Sequence, residues 1–124
     1  MTEQGWNAAV RQTLLPRDRF APFPRASERE RWEAIAPMTR AAWIERAEPF
    51  LNYEWPAMKG QDYREYWKSG NVMGHLNNGF ERRSALGMMA MAECLEGKGR
   101  FLDQIVNGIF AICEETTWVP PLHR

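Results

Sequence analysis

The stretch from Arg100 to His123, RFLDQIVNGIFAICEETTWVPPLH, is the most apolar part of this chain, and its reading decides the fold. Phe101 to Cys113 carries Phe101, Leu102, Ile105, Val106, Ile109, Phe110, Ile112 and Cys113. Wound at 3.6 residues per turn, these cover most of a helix circumference. A helix apolar nearly all round must be covered on nearly all sides. A small three-helix bundle offers little cover, whereas the inner of two helical layers is covered that way. The pattern thus leads us to expect more chain around this helix than the 124 residues supply. The same stretch closes in a cluster able to contact a ligand: Glu114, Glu115, Thr116, Thr117, Trp118 and His123. Asn107 and Gly108 inside it are unfavourable for a helix. Gly108 is expected to allow close helix contact and Asn107 to bond to a neighbouring loop.

Working outward, Phe80 to Glu96 is helical, with Phe80, Leu86, Met89, Ala90 and Cys94 as its expected stripe, and Gly97 and Gly99 end it. The Met cluster at 88, 89 and 91 reads as core filler. Residues 71–79 hold two Gly and three Asn around His75 and read as loop grading into helix. Asp62 is expected to cap a short helix with Tyr63, Tyr66 and Trp67, closed by Gly70 in a left-handed conformation. Thr39 is expected to cap a helix whose inward stripe is Ile44, Ala47 and Leu51, with Pro49 kinking it or starting a fresh turn. Ser27-Glu28-Arg29-Glu30 fits a capping box for a helix carrying Trp32, Ile35 and Ala36, stopped by Pro37. Residues 16–26 form a Pro- and Arg-rich connector, expected to be pinned by Phe20 and Phe23. Before it, Trp6, Val10 and Leu14 share one helical face that Pro16 ends. Period-two alternation is absent throughout. The fold class is all-α, one helical domain over 1–124, read as stacked αα-hairpins pairing 39–53 with 62–69 and 80–96 with 101–113.

Composition narrows function. Lys plus Arg and Asp plus Glu number 16 each, so there is no basic surplus for nucleic acid or an anionic membrane. No stretch approaches the roughly 20 apolar residues of a membrane span. No signal-type apolar run opens the chain, and cytoplasmic localisation is the expectation. Cys94 and Cys113 make neither a metal spacing nor a disulfide framework, and read as buried free thiols. No cofactor is implied. Six Trp in 124 residues is a high number. Most are expected between helices, although an exposed Trp face is a natural sugar platform.

Residues 52–71, NYEWPAMKGQDYREYWKSGN, and 81–123 resemble the heparinase II/III-like polysaccharide lyase family. The strongest match, GRFLDQIVNGIFAICEETTWVPPLH over 99–123, is similar to a family signature of the form GRF-D-I-NGI-ICEE-W-P-H. The resemblance implies an incomplete α/α toroid, the N-terminal fragment of a larger one that β-sandwich domains follow. It implies an acidic polysaccharide or oligosaccharide as partner, cleaved by β-elimination at a uronic acid. That reaction needs the C5 carboxylate neutralised, a base for the C5 proton and an acid for the leaving O4. In the family, Asn, His and Tyr residues further along do most of this, so the chain alone is expected to be inactive. The family commonly ends this motif P-A-H-N; here it is Pro121-Leu122-His123-Arg124, and a role resting on the Asn does not transfer.

His123 is the candidate catalytic residue, able to neutralise a carboxylate or shuttle a proton. Its other reading is a loop His bonded to nearby backbone. Glu114 and Glu115 are candidate substrate-binding residues, because two acids at a helix C-terminus oppose the dipole. Trp118 is the third, as a ring to stack on a pyranose or a Trp packed under Pro120-Pro121. Trp55 and Tyr53 read as packing, His75 as a loop residue. For Arg82 and Arg83 the expectation is that one pairs with Glu81, Glu93 or Asp103 and the other is solvated. Two other function classes fit: a helical glycan- or protein-binding module, and part of a toroidal glycoside hydrolase. The last would need two acids facing each other across a sugar, which adjacent Glu114 and Glu115 do not provide.

Overall fold

Helices form where the apolar spacing is 3.6 residues, and Pro and Gly punctuate them. The computed structural model describes residues 10, 13–16 and 19–123, with no strand among them. Helix α1 spans Arg29–Glu33 and α2 Pro37–Ala47. A 3-10 helix over Glu48–Asn52 follows, begun by Pro49 as the fresh turn. Helix α3 spans Gly60–Ser69, α4 Met73–Glu96 and α5 Leu102–Cys113, and a 3-10 turn covers Pro121–His123. The helix expected on Trp6, Val10 and Leu14 lies largely outside the described residues. Only Val10 and Thr13 of it are seen in helix.

The long helix α4 is the centre, and α2 and α5 pack on it. Both run antiparallel to it. Arg82 of α4 meets Ala111 of α5 while Glu93 meets Phe101, and Arg40 of α2 meets Leu95 while Tyr53 meets Glu81. The 80–96 and 101–113 pairing is therefore a true αα-hairpin. The other expected hairpin is not: α3 lies against the start of α4 and the Pro121–His123 turn, and α2 pairs with α4. The core sits where the three helices meet, at Ala47, Ala85, Met89, Ala92 and Phe101, with Ile44, Leu51, Trp55 and Ile105 around it. Three alanines there let backbones approach, and Met89 fills the gap between them.

The buried stripe of α4 is Arg82, Ala85, Met89, Ala92 and Leu95. The expected stripe shares only Met89 with it; Leu86, Ala90 and Cys94 are half-buried and Phe80 is exposed. Helix α4 also starts at Met73, earlier than expected, because Asn71 Oδ1 accepts the Met73 amide at 3.0 Å and opens the first turn. Its far end is closed by Gly97 at φ +70° and by two arginines. Arg29 donates to the Cys94 and Leu95 carbonyls at 2.7 and 3.3 Å, and Arg40 to Leu95 at 3.2 Å. Cations there satisfy the last carbonyls and suit the dipole. Glu93 then accepts the Gly99 and Phe101 amides at 2.6 and 3.2 Å, opening α5.

Several local expectations are corrected. The capping box is absent: α1 begins one residue late for Ser27, and Glu28 instead accepts from the Arg25 amide at 2.5 Å. Pro37 opens α2 at its first position, which also displaces Thr39 as a cap. Lys59 precedes α3, so Asp62 sits in its first turn. Phe20 and Phe23 are exposed; the connector is held by the Trp32 indole, which donates to the Arg25 carbonyl at 3.0 Å. Cys94 is half-buried, with its thiol pushed up by burial, and Cys113 is exposed. Helix α5 is covered on one side only, with Leu102, Val106, Ile109 and Phe110 facing out.

Candidate functional site

A cleft opens between the loop before α3, the start of α4 and the residues after α5. Its larger lobe, about 570 Å³, is lined by Trp55, Lys59, Tyr63, His75, Arg82, Glu114 and Thr116 among others. A smaller lobe of about 70 Å³ adjoins it and adds Phe80, Arg83, Trp118 and Pro120. Met58, His75, Glu115 and Thr117 line both lobes. The size of the larger lobe falls in the range of small-molecule sites.

Trp55 forms one wall. Its indole N–H donates to Gln104 Oε1 at 2.9 Å, and Gln104 Nε2 donates to the Leu51 carbonyl at 3.3 Å. The ring lies directly over Gly108, so close that a Cβ there would come within 2.2 Å of it. The helix-unfavourable glycine thus buys an aromatic wall, and the neighbour it admits is a ring instead of a helix. Asn107 beside it is exposed.

Glu115 is the electrostatic centre. Its side chain is 2% exposed. Arg82 Nη1 donates to Oε1 at 3.2 Å, and Arg83 Nη2 donates to Oε2 at 2.7 Å. Neither arginine uses the acids expected of it. Arg82 sits on the core stripe of α4 because two backbone carbonyls also meet it there: Pro56 accepts from Nε at 2.6 Å and Ala111 from Nη1 at 2.7 Å. One trio therefore joins α4, the loop before α3 and the end of α5. Leaving such a buried charge unpaired costs about 3–5 kcal/mol, so Glu115 holds the cleft together first and can meet a ligand only beside its arginines.

The other sequence candidates divide. Glu114 is exposed on the rim of the larger lobe. Trp118 is 64% exposed beside the smaller lobe, with its indole N–H donating to the Ile112 carbonyl at 2.9 Å. That bond satisfies an end carbonyl of α5 and leaves the ring face open. His123 lines neither lobe. It is exposed in the Pro121–His123 turn, and its amide donates to the Pro120 carbonyl at 3.0 Å.

The structure adds His75, which the sequence reading left in a loop. It lies in the first turns of α4, half-buried, edge-on to Tyr63 with ring centroids 5.1 Å apart. His75, Gly79, Arg82 and Arg83 share one face of α4, and a helix begun at Asn71 is the signal that would have grouped them. Tyr53 lines neither lobe; burial and its 2.7 Å hydrogen bond to Glu81 push its phenol well above the ordinary value.

No protein-family model matches this chain, and no curated protein does. What the cleft can do follows from its own side chains. Among the described residues no three His, Cys, Asp or Glu side chains converge as a metal site would need. None of the helices described is long and apolar enough to cross a membrane. The cleft offers an aromatic wall, an exposed aromatic rim, small hydroxyls and fixed cations. That is a set suited to holding a polar ring with apolar faces, as a sugar has.

Proposed function

We propose that this chain forms one wall of the substrate cleft of a toroidal, heparinase II/III-like polysaccharide lyase acting on uronic-acid-containing glycans. The single observation that carries the reading is the cleft itself. Three of the four candidates from the family-like segment, Glu114, Glu115 and Trp118, border it, together with Trp55 and His75. The one-sided cover of α5 also supports a larger helical assembly, since Leu102, Val106 and Phe110 are each at least half exposed. Within it this chain binds and orients substrate, and residues beyond it complete proton transfer. Tying Glu115 to two arginines disfavours the hydrolase alternative, because that acid is then no free proton donor or base.

The test is retention on immobilised polysaccharides, followed by assay for unsaturated uronide product. We expect uronate-rich polymers to be retained over neutral glucans, with no product from the chain alone. Preference for neutral glucans would sink the substrate assignment. Product release by the purified chain would overturn the division of labour. A second reading, a helical docking module without catalysis, is favoured by the same exposed face of α5. It predicts that glycans leave Trp55 and Trp118 fluorescence unchanged.

A further inference from the structure

We infer that Arg82 and Lys59 form a carboxylate seat inside the larger lobe, so that the sugar taken there is an acidic one held by its charge. This deepens the proposed function and rests on the cleft being its sugar site.

The first observation is the state of Arg82. Its side chain is 7% exposed, and it lines the larger lobe. A guanidinium carries five N–H donors in a rigid fork. Nε and Nη1 are taken by the Pro56 and Ala111 carbonyls and Glu115. Nη2 makes none of the hydrogen bonds found among the described residues. Its two N–H groups are thus aimed by three bonds at the other end of the fork. Both remain available to an oxygen that a ligand brings into the lobe.

The second observation is the balance of charge. Arg82 and Arg83 share one carboxylate, Glu115, which leaves the trio net positive. Lys59 lines the same lobe, exposed, with no ion pair to any described residue. Over both lobes the lining cations Lys59, Arg82 and Arg83 outnumber the lining acids Glu114 and Glu115. Of these two acids Glu114 has no ion pair among the described residues, and it sits at the rim. A flexible ammonium and a fixed guanidinium lining one lobe suit a single carboxylate projecting from a ring. The Trp55 wall meets the apolar face of that ring.

The test is an NMR titration of the purified 124-residue chain. The probes are D-glucuronate, D-galacturonate, the methyl ester of each, and inorganic phosphate. The readouts are the Trp55 indole and the Gly60 and Thr116 amides. At least one uronate should bind about tenfold more tightly than its own ester, which is what one charge-assisted bond is worth. Lys59→Glu, at an exposed position, should abolish that preference and leave the melting temperature unchanged. Arg82→Lys should reduce it too, and Lys59→Glu decides the matter if that variant fails to fold. Equal binding of acid and ester overturns the seat while the sugar site stands. Silence of the cleft resonances with every sugar overturns both. Phosphate binding where neither uronate binds overturns the carboxylate assignment.

Discussion

At Gly108 two effects oppose each other. An alanine there would gain about 1 kcal/mol of helix propensity. Its Cβ would also stand 2.2 Å from one carbon of the Trp55 ring and 2.5 Å from another. The ring is fixed by its bond to Gln104, so the clash is relieved only by moving the loop before α3. Overpacking of this kind costs about 1–3 kcal/mol, and steric contacts this short belong at the upper end. Gly108→Ala should therefore lower stability in urea denaturation and weaken ligand binding at the cleft; a variant more stable than the parent would show that Trp55 moves freely. Arg82 carries the same kind of lesson. An arginine on a core stripe looks like an error in any local reading, and it is resolved by Glu115 and two carbonyls brought from elsewhere.

Helix α5 has two unlike sides although its sequence is apolar all round. Phe101, just before it, is fully buried, and Gly108 lies under Trp55, whereas Val106 and Phe110 are 51% and 64% exposed. Substitutions on the two sides should separate cleanly. Phe101→Ala should cost about 3–5 kcal/mol. Val106→Gln with Phe110→Gln should shift the unfolding free energy by less than about 1 kcal/mol, since exposed substitutions are cheap. Equal penalties on both sides, measured by urea denaturation, would mean that the outer face is covered. The sequence marks this helix as one needing cover, and the structure shows which half receives it, from α4, the 3-10 helix over Glu48–Asn52 and the Trp55 ring.

Taken whole, the three packed helices are tied at one end by charge. Glu48 at the end of α2 meets Arg100 Nη2 at 2.8 Å, Arg100 Nε meets Glu96 at 2.5 Å, and Lys98 meets Glu96 at 3.2 Å. Burial pushes the Glu96 carboxyl up, but the hydrogen bonds and charges of Arg100 and Lys98 outweigh it and hold it below its ordinary value of 4.5. A carboxyl depressed on folding stabilises fully above its unfolded value, and that contribution is lost as pH falls through the folded value. The stability of the parent chain should therefore fall below about pH 4.5, and Glu96→Gln should be less stable at neutral pH with a flatter acid limb. Urea midpoints from neutral pH to pH 3 check this; parallel curves for the two proteins would remove Glu96 from the account.

The amino-acid sequence by itself determined that the chain is helical, where Gly70 and Gly97 stop helices, and that Ile44, Ala47 and Leu51 face inward. Those features rest on backbone sterics and on periodicity, which act within a turn or two. It also marked the segment around Glu114, Glu115 and Trp118 that borders the cleft. Only the tertiary structure decided that α2 pairs with α4 instead of α3, that Arg82 belongs to the core, and that His75 lies in the cleft while His123 lies outside its lining. Each of these depends on groups far apart in the chain. Arg82 and Glu115 are separated by 33 residues and Trp55 and Gln104 by 49. Their energies come from burial and from meeting buried donors with acceptors, and no local pattern records which distant partner will supply them.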